Sequence, residues 1–149
     1  MTTTTAIDPI VKKLTLNATP ARAFEHFTKS IHVWWPLATL SLSQAAAKTA
    51  VFEAHAGGRI YEIDKHGRER EWGRVLACEP PRRLVFSWVL EQPDNATEVE
   101  VRFEPAGKDG CAFTLIHRGW DSRPQGGEWR GEYDEGWQGV LARYAQSLK

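Results

Sequence analysis

EWRGEYDEGWQGVLARYAQSLK, residues 128–149, is the stretch on which the fold turns. Trp129, Tyr133, Trp137, Leu141 and Leu148 recur three, four or seven positions apart once Val140 and Tyr144 are included, so they share one face of an α-helix. Glu128, Arg130, Glu132, Glu135, Gln138, Arg143 and Gln146 fall mostly elsewhere on the cylinder. Each ring on such a stripe contributes ~4–6 kcal/mol of gross apolar burial before entropy is subtracted. A stripe this broad needs a broad apolar surface beneath it. Almost everything upstream reads as strand, so that surface is predicted to be a sheet. Gly131, Gly136 and Gly139 each weaken the helix by about 1 kcal/mol relative to Ala. The expected return is close helix–sheet approach, or a bend that opens room at one end.

Working outward, Thr97 to Glu104 and Cys111 to Arg118 alternate cleanly. Val99, Val101 and Phe103 oppose Glu98, Glu100, Arg102 and Glu104, while Cys111, Phe113, Leu115 and His117 share a parity. Arg83 to Leu90 does the same with Leu84, Phe86, Trp88 and Leu90. One face is packed and the other wet. Further strands are read at Val51 to His55, Arg59 to Ile63 and Glu71 to Cys78. The turns between them carry Gly57-Gly58, Asp64 to Gly67, Pro80-Pro81, Gln92 to Asn95 and Gly107 to Gly110. Tight turns make an antiparallel meander, because parallel neighbours need long crossovers. Before it come a strand at Ile10 to Leu16 and a short helix capped by Thr19 with Pro20 at its first position. A second helical turn follows at Ile31 to Trp35, stopped by Pro36. Leu37 to Lys48, rich in Ser and Ala, reads as a loop.

A chain of 149 residues with 42% hydrophobic and 26% charged residues is one globular domain in length and composition. Residues 1–9 are expected to form a flexible tail and 10–149 a single domain. Lys plus Arg equals Asp plus Glu at 19 each, so there is no global attraction to nucleic acid or an anionic membrane. Cys78 and Cys111 lack metal-ligand spacing and read as small buried thiols rather than a disulfide. No apolar run has transmembrane length, and Met1 to Thr5 is no signal peptide, which points to the cytoplasm. No zinc spacing, GxSxG, P-loop or dinucleotide fingerprint occurs, so no metal and no cofactor is implied.

Strand, two short helices, six-stranded meander and long C-terminal helix resemble the α+β helix-grip fold of the START-like, Bet v 1-like (SRPBCC) superfamily. Particular strings sharpen this: Thr19-Pro20 to Trp34-Trp35-Pro36, Gly57-Gly58-Arg59, Trp72-Gly73-Arg74-Val75, Pro80 to Trp88, His117-Arg118-Gly119-Trp120 and Gly136 to Leu141. They look like the bacterial family named after the activator of Hsp90 ATPase. The resemblance implies a curved sheet of about seven strands, with a cavity for a hydrophobic or aromatic molecule between it and the last helix. It also implies two alternatives: a cyclase, aromatase or hydratase-like enzyme, or an Hsp90-associated interaction protein. A monomer or weak homodimer is expected.

For the cavity that the resemblance implies, the candidate wall is Trp34, Trp35, Phe86, Trp88, Val101, Phe103, Phe113, Leu115, His117, Tyr133 and Trp137, from inward strand parity, the helical stripe and the second helical turn. Trp88 and Trp137 are predicted to face one another across the gap. Trp34 and Trp35 adjoin the unreadable loop, where a mouth would lie. His117 shares the inward parity of Phe113 and Leu115, and would be a base near neutral pH if a partner and open space adjoin it. Its plainer reading is a core histidine bonded to its surroundings. Glu53, His55, Arg59 and Tyr61 form either a polar ligand wall or a solvated outer face. Phe52 and Ala54 are the plainer inward choice there.

Overall fold

A computed structural model describes residues 7–148. Seven strands form one antiparallel sheet in the order β1-β7-β6-β5-β4-β3-β2. They are β1 (Ile10–Leu16), β2 (Ala47–Phe52), β3 (Arg59–Asp64), β4 (Glu69–Glu79), β5 (Arg83–Trp88), β6 (Thr97–Ala106) and β7 (Gly110–Arg118). Helices α1 (Pro20–Lys29) and α2 (Ile31–Trp34) follow β1, and α3 (Gly126–Ser147) closes the chain. The architecture is the helix-grip expected. Thr19 caps α1 by accepting from the Arg22 N–H, with Pro20 just inside.

The inner face is built by register. Val99 pairs with His117, Val101 with Leu115 and Phe103 with Phe113, while β5 sets Leu84 beside Val101 and Phe86 beside Val99. All of these are buried. Register shifts at Trp72 and Leu76 put two bulges in β4, which bend the sheet and turn Leu76 outward. Gly73 sits at the first of these bulges; a Cβ there would lie 1.8 Å from the Ser87 carbonyl oxygen. The outer face is not uniformly wet. Glu100, on the parity assigned to solvent, is buried under Arg83, Arg102 and Arg118, which donate to it at 2.9, 2.7 and 2.8 Å. Burial alone would raise its pKa, but the three guanidinium bonds outweigh that and hold the carboxyl down at about 2.

Several expectations change. The strand read at 51–55 lies at Ala47–Phe52, because the backbone from Ala47 onward pairs with β3 although its small side chains show no pattern. β5 ends at Trp88, and Leu90 and Glu91 take positive φ values of 48° and 63° in the turn. Gly131, Gly136 and Gly139 approach nothing: an added Cβ meets no atom within 4 Å at any of them. The close approach at this helix is made by Gly126, whose Cβ would lie 1.8 Å from the Trp120 carbonyl oxygen. Of the expected tail, residues 1–6 lie outside the described residues. Residues 7–9 are held: the Ile7 N–H donates to Asp121, and Arg130 donates to the Asp8 and Pro9 carbonyls. Cys111 is buried and Cys78 half-buried, both as free thiols.

Candidate functional site

The gap between α3 and the sheet is filled at one end and open at the other. At the filled end, Phe27 of α1 packs against Phe52, Phe103, Phe113 and Tyr144 with ring centroids 5.4–6.1 Å apart. Polar bonds clamp the same end. Tyr144 donates to the Ala23 carbonyl at 2.6 Å, Arg143 to the Trp34 carbonyl at 3.0 Å, and Arg22 to the Leu148 carbonyl at 2.9 Å. At the other end a cavity of about 470 Å³ lies between α3, β5 and the segment 39–44. Its walls include Trp35, Leu40, Leu42, Trp88, Leu90, Trp129, Tyr133, Gly136, Trp137 and Val140. A smaller lobe of about 170 Å³ adjoins it past Leu42, Trp88 and Tyr133, and reaches Gln92, Asn95 and Arg123.

Of the residues nominated from sequence, Trp35, Trp88, Tyr133 and Trp137 line this cavity. Trp88 and Trp137 face each other at 6.4 Å. Trp34, Phe86, Val101, Phe103, Phe113, Leu115 and His117 do not line it; they are buried in the packed interior. Inward parity placed the strand residues among them under the helices, and Trp34 belongs to α2 itself, but α1, α2 and the end of α3 leave no space there. Glu53, His55, Arg59 and Tyr61 do not line it either. Glu53 accepts from the Arg59 N–H at 2.7 Å, and the Arg59 guanidinium lies 4.1 Å over the Tyr61 ring.

The wall tryptophans are fixed by their own N–H groups. Trp35 donates to the Leu40 carbonyl at 2.7 Å, Trp88 to the Tyr133 hydroxyl at 3.1 Å, and Trp137 to Nδ1 of His117 at 3.0 Å. With these donors engaged, the indoles offer the cavity flat π faces. The Tyr133 hydroxyl accepts from Trp88 and keeps its own proton free to donate.

His117 is fully buried, and its tautomer follows from its partners. An indole N–H only donates, so Nδ1 is the acceptor. The proton therefore sits on Nε2 and is donated to the Thr97 hydroxyl at 2.7 Å. Burial, then the positive charge of Arg123, push its pKa down to about 3. Both ring nitrogens are engaged and neither reaches the cavity, so His117 orients Trp137 from behind and has no lone pair for a bound molecule.

Sequence reasoning missed the segment 39–44 and the group that holds it. Glu62 is fully buried and accepts from the Trp72 indole and the Leu42 N–H, both at 2.6 Å, and from the Ser43 N–H at 2.8 Å. Arg70 reaches the Leu42 carbonyl and is itself paired with Glu91. The signal available was an acid sharing strand parity with Ile60. Trp129, Gly136 and Val140 were legible as helix positions, though not as cavity wall.

A curled seven-stranded sheet gripping one long helix over an aromatic cavity defines a helix-grip domain. The family model for activator of Hsp90 ATPase homolog 1-like protein matches residues 17–149, and the chain belongs to that family. Among solved structures it is similar to an anthrahydroquino-γ-pyrone synthase, Txn09, at 32% identity over 95% of this chain and 97% of that one, with a TM-score of 0.67. It is also similar to the self-sacrificing resistance protein CalC of Micromonospora echinospora, at 26% identity over 95% and 94% of the two chains and a TM-score of 0.72. A protein of Mesorhizobium loti, 20% identical over 94% and 96% with a TM-score of 0.71, shares the fold. No match is found among curated proteins. Among the described residues, no helix is long and apolar enough to cross a membrane.

Proposed function

We propose that the chain binds a small, flat, hydrophobic molecule in the cavity between β5, α3 and the segment 39–44. The observation that carries this is a cavity of about 470 Å³ walled by three tryptophans whose N–H groups are already engaged. That volume lies within the range of small-molecule pockets, roughly 300–1,000 Å³. Pre-set aromatic faces lower the ordering cost of binding a planar guest. The test is a titration of N-phenyl-naphthylamine followed by intrinsic tryptophan fluorescence. Saturable quenching at one site is expected, with its loss in Gly136→Leu, where the new side chain enters the cavity. An unsaturable response in the parent chain would sink the reading.

A second reading is favoured by the relative described as a synthase: the cavity also carries out a reaction on its guest. With His117 sealed, the wall groups able to move a proton are Glu132 and Tyr133. Turnover of a polyketide-type substrate that is lost in Tyr133→Phe, with guest affinity kept, supports it. Turnover that is unchanged in both Tyr133→Phe and Glu132→Gln removes it.

A further inference from the structure

Arg123 stands at the polar end of the site with no ion-pair partner among the described residues. It lies in the loop between β7 and α3, its guanidinium carbon 4.4 Å over the Trp129 ring and 5.8 Å from that of Tyr133. Its Nε is buried without a hydrogen-bond partner. Among the described residues no carboxylate forms an ion pair with it, whereas Arg59, Arg70, Arg83, Arg102 and Arg118 on the sheet are each paired. A desolvated donor left unmade is costly, and stacking on aromatic faces compensates it only in part. The side chain lines the small lobe with Gln92 and Asn95, next to the free hydroxyl proton of Tyr133. Arg123 and Tyr133 thus bring two donors to this lobe that meet no acceptor among the described residues, and one of them is a cation.

Resting on the aromatic cavity described above, we propose that its guest is an aromatic acid. The planar body lies among Trp35, Trp88 and Trp137, and an anionic oxygen is held by Arg123 with Tyr133 as second donor. Charge-assisted bonds of this kind are worth about tenfold or more in affinity.

Anthracene carboxylate and anthracene carboxamide have the same ring system and differ in charge, so they separate the two claims. In the parent chain the carboxylate is expected to bind about tenfold or more tighter than the amide. In Arg123→Gln the carboxylate falls to the level of the amide, while the amide changes by less than about twofold. Equal binding of the two probes by the parent overturns the role of Arg123 and leaves the aromatic cavity standing, and needs no variant to be read. Equal weakening of both probes in Arg123→Gln also overturns it, as a structural effect. Binding of neither probe overturns the cavity reading and this inference together.

Discussion

The two halves of α3 lie on the same sheet and do opposite things. Past Val140 the apolar face is sealed: Leu141, Tyr144 and Leu148 are each at most 2% exposed and rest on α1, α2 and the sheet, while Trp137 and Val140, nearly as buried, stand at the boundary and form the inner edge of the cavity wall. Before Trp137 the same stripe continues in sequence, yet Trp129 is 37% exposed and Tyr133 half-buried. The first half is held at its flank instead, by Lys12 to Asp134 at 2.8 Å and by Arg130 on the Asp8 and Pro9 carbonyls. One continuous pattern thus makes core where α1 and α2 cover it, and cavity wall where only the segment 39–44 does. Amphipathic periodicity reports which face is apolar; what covers that face is decided elsewhere in the chain.

The contrast breaks most plainly at Phe27. Phe27→Ala empties the middle of the sealed end and is expected to cost about 3–5 kcal/mol in urea unfolding. Trp129→Ala, at the open end, is expected to cost less than about 1 kcal/mol while weakening naphthylamine binding. Comparable stability losses for the two would erase the distinction between core and wall.

Acid tests the boundary between the halves, where His117 supports Trp137. Its folded pKa is depressed to about 3, against 6.5 in the unfolded chain. Below pH 6.5 the unfolded chain takes up a proton that the folded one refuses. Stability present above pH 6.5 is therefore lost as pH falls toward 3, at about 1.4 kcal/mol per pH unit. Between pH 6.5 and 4.5 this amounts to roughly 2–3 kcal/mol, before the low pKa of Glu100 contributes. The pKa of His26 is also lowered, by burial and by the charge of Arg22, so this more exposed histidine acts in the same direction. Urea midpoints across the window should flatten in His117→Gln. A slope unchanged in that variant assigns the effect to another group.

At the cavity roof, Glu62→Gln replaces a two-oxygen acceptor by one oxygen and an amide that cannot accept. About 1–3 kcal/mol of local stability should be lost. Hydrogen exchange should quicken at Leu42 and Ser43 while the amides of β6 and β7 keep their protection. Equal quickening at both places would mean that Glu62 supports the whole sheet rather than the roof.

Strand parity made the sheet, its packed face and the opposition of Trp88 to Trp137 legible, because alternation is a local property of each strand. The cavity was legible only in Trp35, Trp88, Tyr133 and Trp137. Residues 39–44 carry no period of their own; they are ordered by Glu62 and Arg70, about twenty or more positions away, and long-range polar anchoring leaves no trace in a local pattern. His117 follows its plainer reading, a core histidine bonded to its surroundings, and not the cavity-wall one. Parity placed it inside correctly, but whether an inward histidine meets space or a wall depends on Trp137, Thr97 and Trp120, which come from three separate elements.

The helix glycines sharpen the comparison at the smallest scale. Gly139 lies on the exposed side of α3, and an added Cβ meets nothing, so Gly139→Ala should stabilise the fold by about 1 kcal/mol and leave binding unchanged. Gly136 has the same open surroundings but lies on the cavity wall. Gly136→Ala should bring a similar gain in the urea midpoint together with a reduced affinity for a bulky guest, because the methyl takes up space the guest uses. A gain in stability with affinity untouched at both positions would place the guest away from the first half of α3, against the sheet and the 39–44 segment alone.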